Sequence, residues 1–227
     1  MAEIDVILTD YVLAVECTVL AVLLYRARVG EPNLRRWLTT FFGSVGVASL
    51  LGGTYHGFFS GGQLFGSILW STTLLAIGVN ALSAWIIGAQ LIFPMHIARL
   101  ITAAAGVLFA IYCVAVLVVT TKFWIAILDY APAGLFLLIA LWQVYKSIAQ
   151  KALLLAAGGI ALSFVAALLQ QFKIGIHPAY FTHNALYHVL QGIALFLFYL
   201  GGRWLLAHEW RVLKMGGADH TRQALEQ

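Results

Sequence analysis

Three imidazoles and an amide carry the strongest chemical signal in this chain. His183, Asn184 and His188 stand at the head of the stretch Pro178–Leu206, before a nearly pure apolar run. His56 follows a glycine-rich turn, LGGTYHG, near the end of another apolar segment. Carboxylates interrupt apolar sequence at Asp10, Glu16 and Asp129. Such groups are expensive in an apolar setting unless paired, liganded or wetted, and ionisable residues inside membrane segments are functional candidates by default. Imidazoles plus a carboxylate are ligands that zinc accepts. Three protein ligands and one open position would bring bound water to a pKa of about 7. The set expected here is His56, His188 and one of His183, Asp10, Glu16 or Asp129. A remaining carboxylate would take the proton from the water, and Asn184 could steady a developing oxyanion.

Each residue also has a plainer role open to it. His56 could bond a neighbouring carbonyl. Asp10, beside Thr9, could cap a helix, and Asp129 could cap backbone groups freed by Pro132. His183 and His188 are five residues apart, so on a regular helix they point about 140° from each other. Asn184, not His183, shares the His188 face, one turn away. His183 could therefore sit at the rim, and His177 is expected at the interface. Asn80 is as suited to holding helices together as to anything else.

The composition is that of a polytopic membrane protein. The 227 residues are 62% hydrophobic and 10% charged, against roughly 25% charged in a soluble domain. Seven apolar segments are expected, at about Val6–Tyr25, Trp37–Phe59, Gln63–Ile86, His96–Val119, Phe123–Tyr145, Lys151–Phe172 and Pro178–Leu206. Each is long enough for the roughly 20 residues a span needs. The reading is thus an all-α, single seven-helix domain over residues 1–227, with a short polar tail from about 207. Segment two carries small residues at Ser49, Gly53 and Gly57, spacing that lets another helix approach closely. The stretch Gly88–Pro94 is expected to break the chain between segments three and four. Cys17 and Cys113 lie in apolar runs and read as core residues. The start MAEIDVILTD is acidic where a cleavable signal would be basic.

Of 13 Lys and Arg residues, an outside N-terminus and inside C-terminus would leave only Lys122 and Lys173 on the outer side. In that orientation the polar residues cluster in the outer half of the bundle. The basic residues form no groove-sized patch, which excludes nucleic acid as a partner. Membrane lipids are the expected partners, with a further membrane protein or a second copy left open, and a bacterial inner membrane is the expected location.

Seven helices, a His ending the second and a His-bearing motif opening the seventh resemble the superfamily of membrane hydrolases that contains the alkaline ceramidases and progestin/adipoQ receptors. THNALYHVLQ is similar to an uncharacterised bacterial branch of it. That pattern has Ser-x-x-x-His on the second helix, Asp on the third and His-x-x-x-His on the seventh. Here His56 and His188 match. Gly52 stands where the Ser is expected and Asn184 where the first His is expected, with His183 offset by one. The third segment has no Asp; Ser71 or Thr72 is nearest. The resemblance implies a zinc-dependent hydrolase acting on a lipid amide or ester. Two other readings are a non-catalytic bundle, serving as a sensor or accessory subunit, and a haem or tetrapyrrole held between His56 and His188.

Overall fold

A computed structural model of the protein describes residues 4–60, 62, 64–177, 180–208 and 210. Seven long helices follow one another: α1 (Ile4–Arg26), α2 (Pro32–Thr54), α3 (Leu64–Ile92), α4 (Met95–Val114), α5 (Trp124–Ile148), α6 (Lys151–Gln171) and α7 (His183–Ala207). Two π-helical turns, Tyr55–Phe59 and Ala115–Val119, prolong α2 and α4. The protein is an all-α, multi-spanning membrane bundle. Six of the helices are long and apolar enough to cross a bilayer. The exception is α2, which packs between α1 and α3.

The helices run alternately up and down. Asn80 of α3 donates to the Phe41 carbonyl of α2, and Tyr112 of α4 to the Leu74 carbonyl of α3. Asp5 meets Thr182, Asp10 meets His188, and Glu16 meets Gly192. Residue numbers rise together along these pairs, so α1 and α7 are parallel neighbours, as an odd number of helices requires. The ends of α1, α3, α5 and α7 nearer the N-terminus therefore share one side, here called the N-terminal end.

The apolar core lies mainly in the other half. Phe41 and Phe42 of α2 pack on Phe198 of α7 with ring centroids 4.9 and 5.7 Å away. Leu24, Leu34, Leu38, Leu137 and Leu141 complete this plug. Close packing there depends on absent side chains: a Cβ on Gly201 would collide with Ala156 and the Ala152 backbone of α6.

Three boundaries differ from those expected. α2 begins at Pro32, not Trp37, because Pro supplies a ready first-turn φ. That places Leu34 in the core and leaves Arg36 exposed. α3 continues past the expected end at Ile86 to Ile92, with Gly88 against Phe136 of α5, and the break expected within Gly88–Pro94 falls at Phe93–Pro94. α7 starts at His183, capped by Thr182, rather than at Pro178. Pro178, Gln63 and the tail beyond Trp210 lie outside the described residues.

Candidate functional site

Near the N-terminal end, Asp10 and His188 face each other across the α1–α7 seam, with Nε2 of His188 3.3 Å from Oδ1 of Asp10. Both side chains are largely buried. On the helical rise each lies about 7–9 Å inside its helix end. Room for the carboxylate comes from α2. A Cβ on Gly53 would stand 2.8 Å from Cβ of Asp10, and one on Gly52 3.8 Å from Oδ2. The glycine-rich turn before His56 thus forms the wall behind Asp10.

The other ring nitrogen is held by Thr9, whose Oγ1 is 3.1 Å from Nδ1 of His188. That hydroxyl has a single proton, which it donates to the carbonyls of Asp5 at 2.8 Å and Val6 at 3.1 Å. With the hydroxyl proton on a carbonyl, Thr9 accepts from the ring when Nδ1 carries the hydrogen. In that tautomer Nε2 presents a lone pair to Asp10, and a proton or a metal ion would lie between them; in the other, Nε2–H donates to Oδ1.

A second contact locks the two helices at their ends. Oδ2 of Asp5 accepts from the Thr182 amide at 2.8 Å and its hydroxyl at 2.7 Å. The same hydroxyl accepts from the Ala185 amide as the N-cap of α7. His56 sits in the π-helical turn, a widened turn often found at functional sites. Its ring lies 5.4 Å from Tyr55 and 5.9 Å from Trp70, and it is within electrostatic range of His188.

The remaining expected residues go elsewhere. Oε2 of Glu16 rests in the notch at Gly192, one turn below His188. Asp129 lies beside Tyr112 and Cys113 of α4, with one buried oxygen lacking a hydrogen-bond partner. Asn184 accepts from Gln170 of α6 at 3.2 Å. His183 occupies the first turn of α7, half-buried, and His177 accepts from the Tyr180 amide in the preceding loop. Among the described residues, no three His, Cys, Asp or Glu side chains gather closely enough to hold a metal ion. The structure therefore joins Asp10 to His188 and does not close a triad with His56 or His183.

Thr9, Asp5 and Thr182 were not expected as site residues. A hydroxyl and an acid one turn apart beside Asp10 were the only trace of them in sequence. Another polar group lies between α5, α6 and α7, where Tyr130 meets the side chains of Ser163 and Gln191.

Fold and site together define a polytopic seven-helix membrane protein with a buried His–Asp pair near one end. The chain belongs to a family of unknown function, DUF6962, whose model matches residues 6–207. No curated protein and no solved structure matches it.

Proposed function

We propose that this protein is a membrane hydrolase acting on a lipid amide or ester, with a zinc site built on Asp10 and His188 and with His56 as third donor. The observation that carries the reading is the approach of His188 Nε2 to Asp10 Oδ1 across the α1–α7 seam. A charge-assisted hydrogen bond would draw Nε2 and Oδ1 to about 2.7–2.9 Å. Their separation of 3.3 Å instead equals the edge of a tetrahedron with bonds of about 2.0–2.1 Å. A ligating histidine also typically donates its other N–H to an oxygen, and Thr9 Oγ1 stands at Nδ1 of His188 to accept one. Asp10 and His188 thus have the spacing of two zinc donors, and His56 would have to move in to complete the set. Bound there, the ion would supply a water acidic enough to attack a carbonyl.

The chain's own residues do the rest. Thr9 keeps the proton on Nδ1 and aims the ring. Gly52 and Gly53 leave space for the carboxylate. Tyr55 and Trp70 flank His56 and narrow the approach from water. An apolar groove of about 530 Å³ between α5 and α6, lined by Pro132, Leu135 and Phe164, offers space for an acyl chain. The Lys and Arg distribution supports a site beneath the non-cytoplasmic face, and a bacterial inner membrane is the location this reading takes.

A second reading rests on the ungathered third ligand. In it one proton lies between Asp10 and His188, and the bundle is a non-catalytic sensor or accessory subunit. Elemental analysis of detergent-purified protein separates the two. Stoichiometric zinc that is lost in His188→Ala and retained in His177→Ala is expected, together with release of fatty acid from N-acyl or ester lipids by the wild type alone. Wild-type protein that stays metal-free after incubation with zinc overturns the hydrolase reading. A tetrapyrrole absorbance band on the same sample would replace both readings.

A further inference from the structure

The chain between α6 and α7 is a short hairpin carrying more exposed apolar surface than a connection facing water would. His177 and Phe181 pair through their backbones, with the His177 amide donating to Phe181 at 3.0 Å and the Phe181 amide to His177 at 3.2 Å. The His177 ring stacks on Tyr180 at 4.8 Å. Around this frame Phe172 is 73% exposed, Ile174 50%, Ile176 72% and Tyr180 80%. Lys173 is the sole Asp, Glu, Lys or Arg between 172 and 182.

We propose that this hairpin is an interfacial anchor, seated in the headgroup–acyl boundary of the same bilayer the helices cross. Its occupant is lipid, because its apolar surface continues that of the spans. It starts at Phe172, directly after α6, whose Val165 and Leu168 are exposed, and Asp5 ties its far end to α1, where Ile4 and Leu8 are exposed. Tyr and Phe are suited to this layer, and a lone Lys reaches from it into the headgroups.

The anchor also bears on the site. Thr182 ends the hairpin, caps α7 and is held by Asp5, and His188 follows within two turns. Lipid contact at the hairpin thereby sets the depth of the Asp10–His188 pair just below the headgroups. This inference does not depend on whether the pair holds zinc or a proton.

Ile176→Cys and Tyr180→Cys, each labelled with an environment-sensitive fluorophore in Cys17→Ala/Cys113→Ala protein, test it in phosphatidylcholine vesicles. Blue-shifted emission is expected, quenched at least threefold more by 5-doxyl phosphatidylcholine than by aqueous iodide. Water-like emission with dominant iodide quenching overturns the proposal. So does lipid shielding that disappears on dilution into excess lipid, which would assign the surface to a second copy. Hydroxyl-radical footprinting of the unmutated protein in nanodiscs covers variants that fail to fold. Phe172 and Tyr180 should stay unoxidised, and heavy oxidation of both is the contrary result.

Discussion

Thr9 decides what His188 can do. Without its oxygen the Nδ1 side of the ring loses its hydrogen-bond partner, and an unsatisfied buried polar group costs about 1–3 kcal/mol. Thr9→Val should therefore lower thermal stability and, on the proposed zinc reading, should weaken zinc binding by about 10–100-fold. Thr9→Ser, which keeps the hydroxyl, should restore most of both. A zinc titration of the three proteins checks this, and equal affinities for the valine and serine variants would remove Thr9 from the site. His56 and His188 were legible in the sequence because an imidazole in an apolar run stands out. Thr9 was not, because a threonine is unremarkable in a helix, and its partner lies 179 residues away. Asp5 was missed for the same reason, since nothing in local spacing joins it to Thr182.

At the scale of helices, the glycines of α2 show how closeness is graded along one seam. A methyl on Gly53 would press on Cβ of Asp10 and the ring of Tyr11, whereas one on Gly52 would meet Thr73 and Asp10 at ordinary contact distance, 3.7–3.8 Å. Gly53→Ala should destabilise the bundle by about 1–3 kcal/mol, the usual cost of overpacking. Gly52→Ala should be nearly neutral in the same unfolding assay. Little loss for Gly53→Ala would mean that α1 and α2 are less tightly joined at this point than described. Seven helices were readable from apolar run length, and the small-residue spacing pointed to the tight α1–α2 contact. Ends were read less well. Pro32 and Thr182 set helix starts through backbone geometry and capping that hydropathy does not register, while α3 outran its expected end at Ile86 and broke only at Phe93–Pro94, within the expected stretch. The expected convergence of polar groups was met in part. Asp10 and His188 come together, but Asp129 turns to α4 and Asn184 to Gln170, because depth along a helix does not determine which neighbour a side chain faces.

For the whole molecule, the alternating helices place the connections around Arg28 and Thr121 on opposite sides of the bundle. A membrane-impermeant maleimide added to intact cells should label Thr121→Cys and spare Arg28→Cys, if the Lys and Arg distribution sets orientation. The reverse pattern would invert the protein and place the His–Asp pair on the cytoplasmic side. The parallel contact of α1 with α7 has a consequence for biogenesis. Asp10 enters the bilayer with α1, and the imidazole that faces it arrives only with α7, after five intervening helices. Until α7 is delivered, that carboxyl lacks its mate. A nascent protein stalled or truncated before α7 should thus be an orphan for membrane quality control to clear.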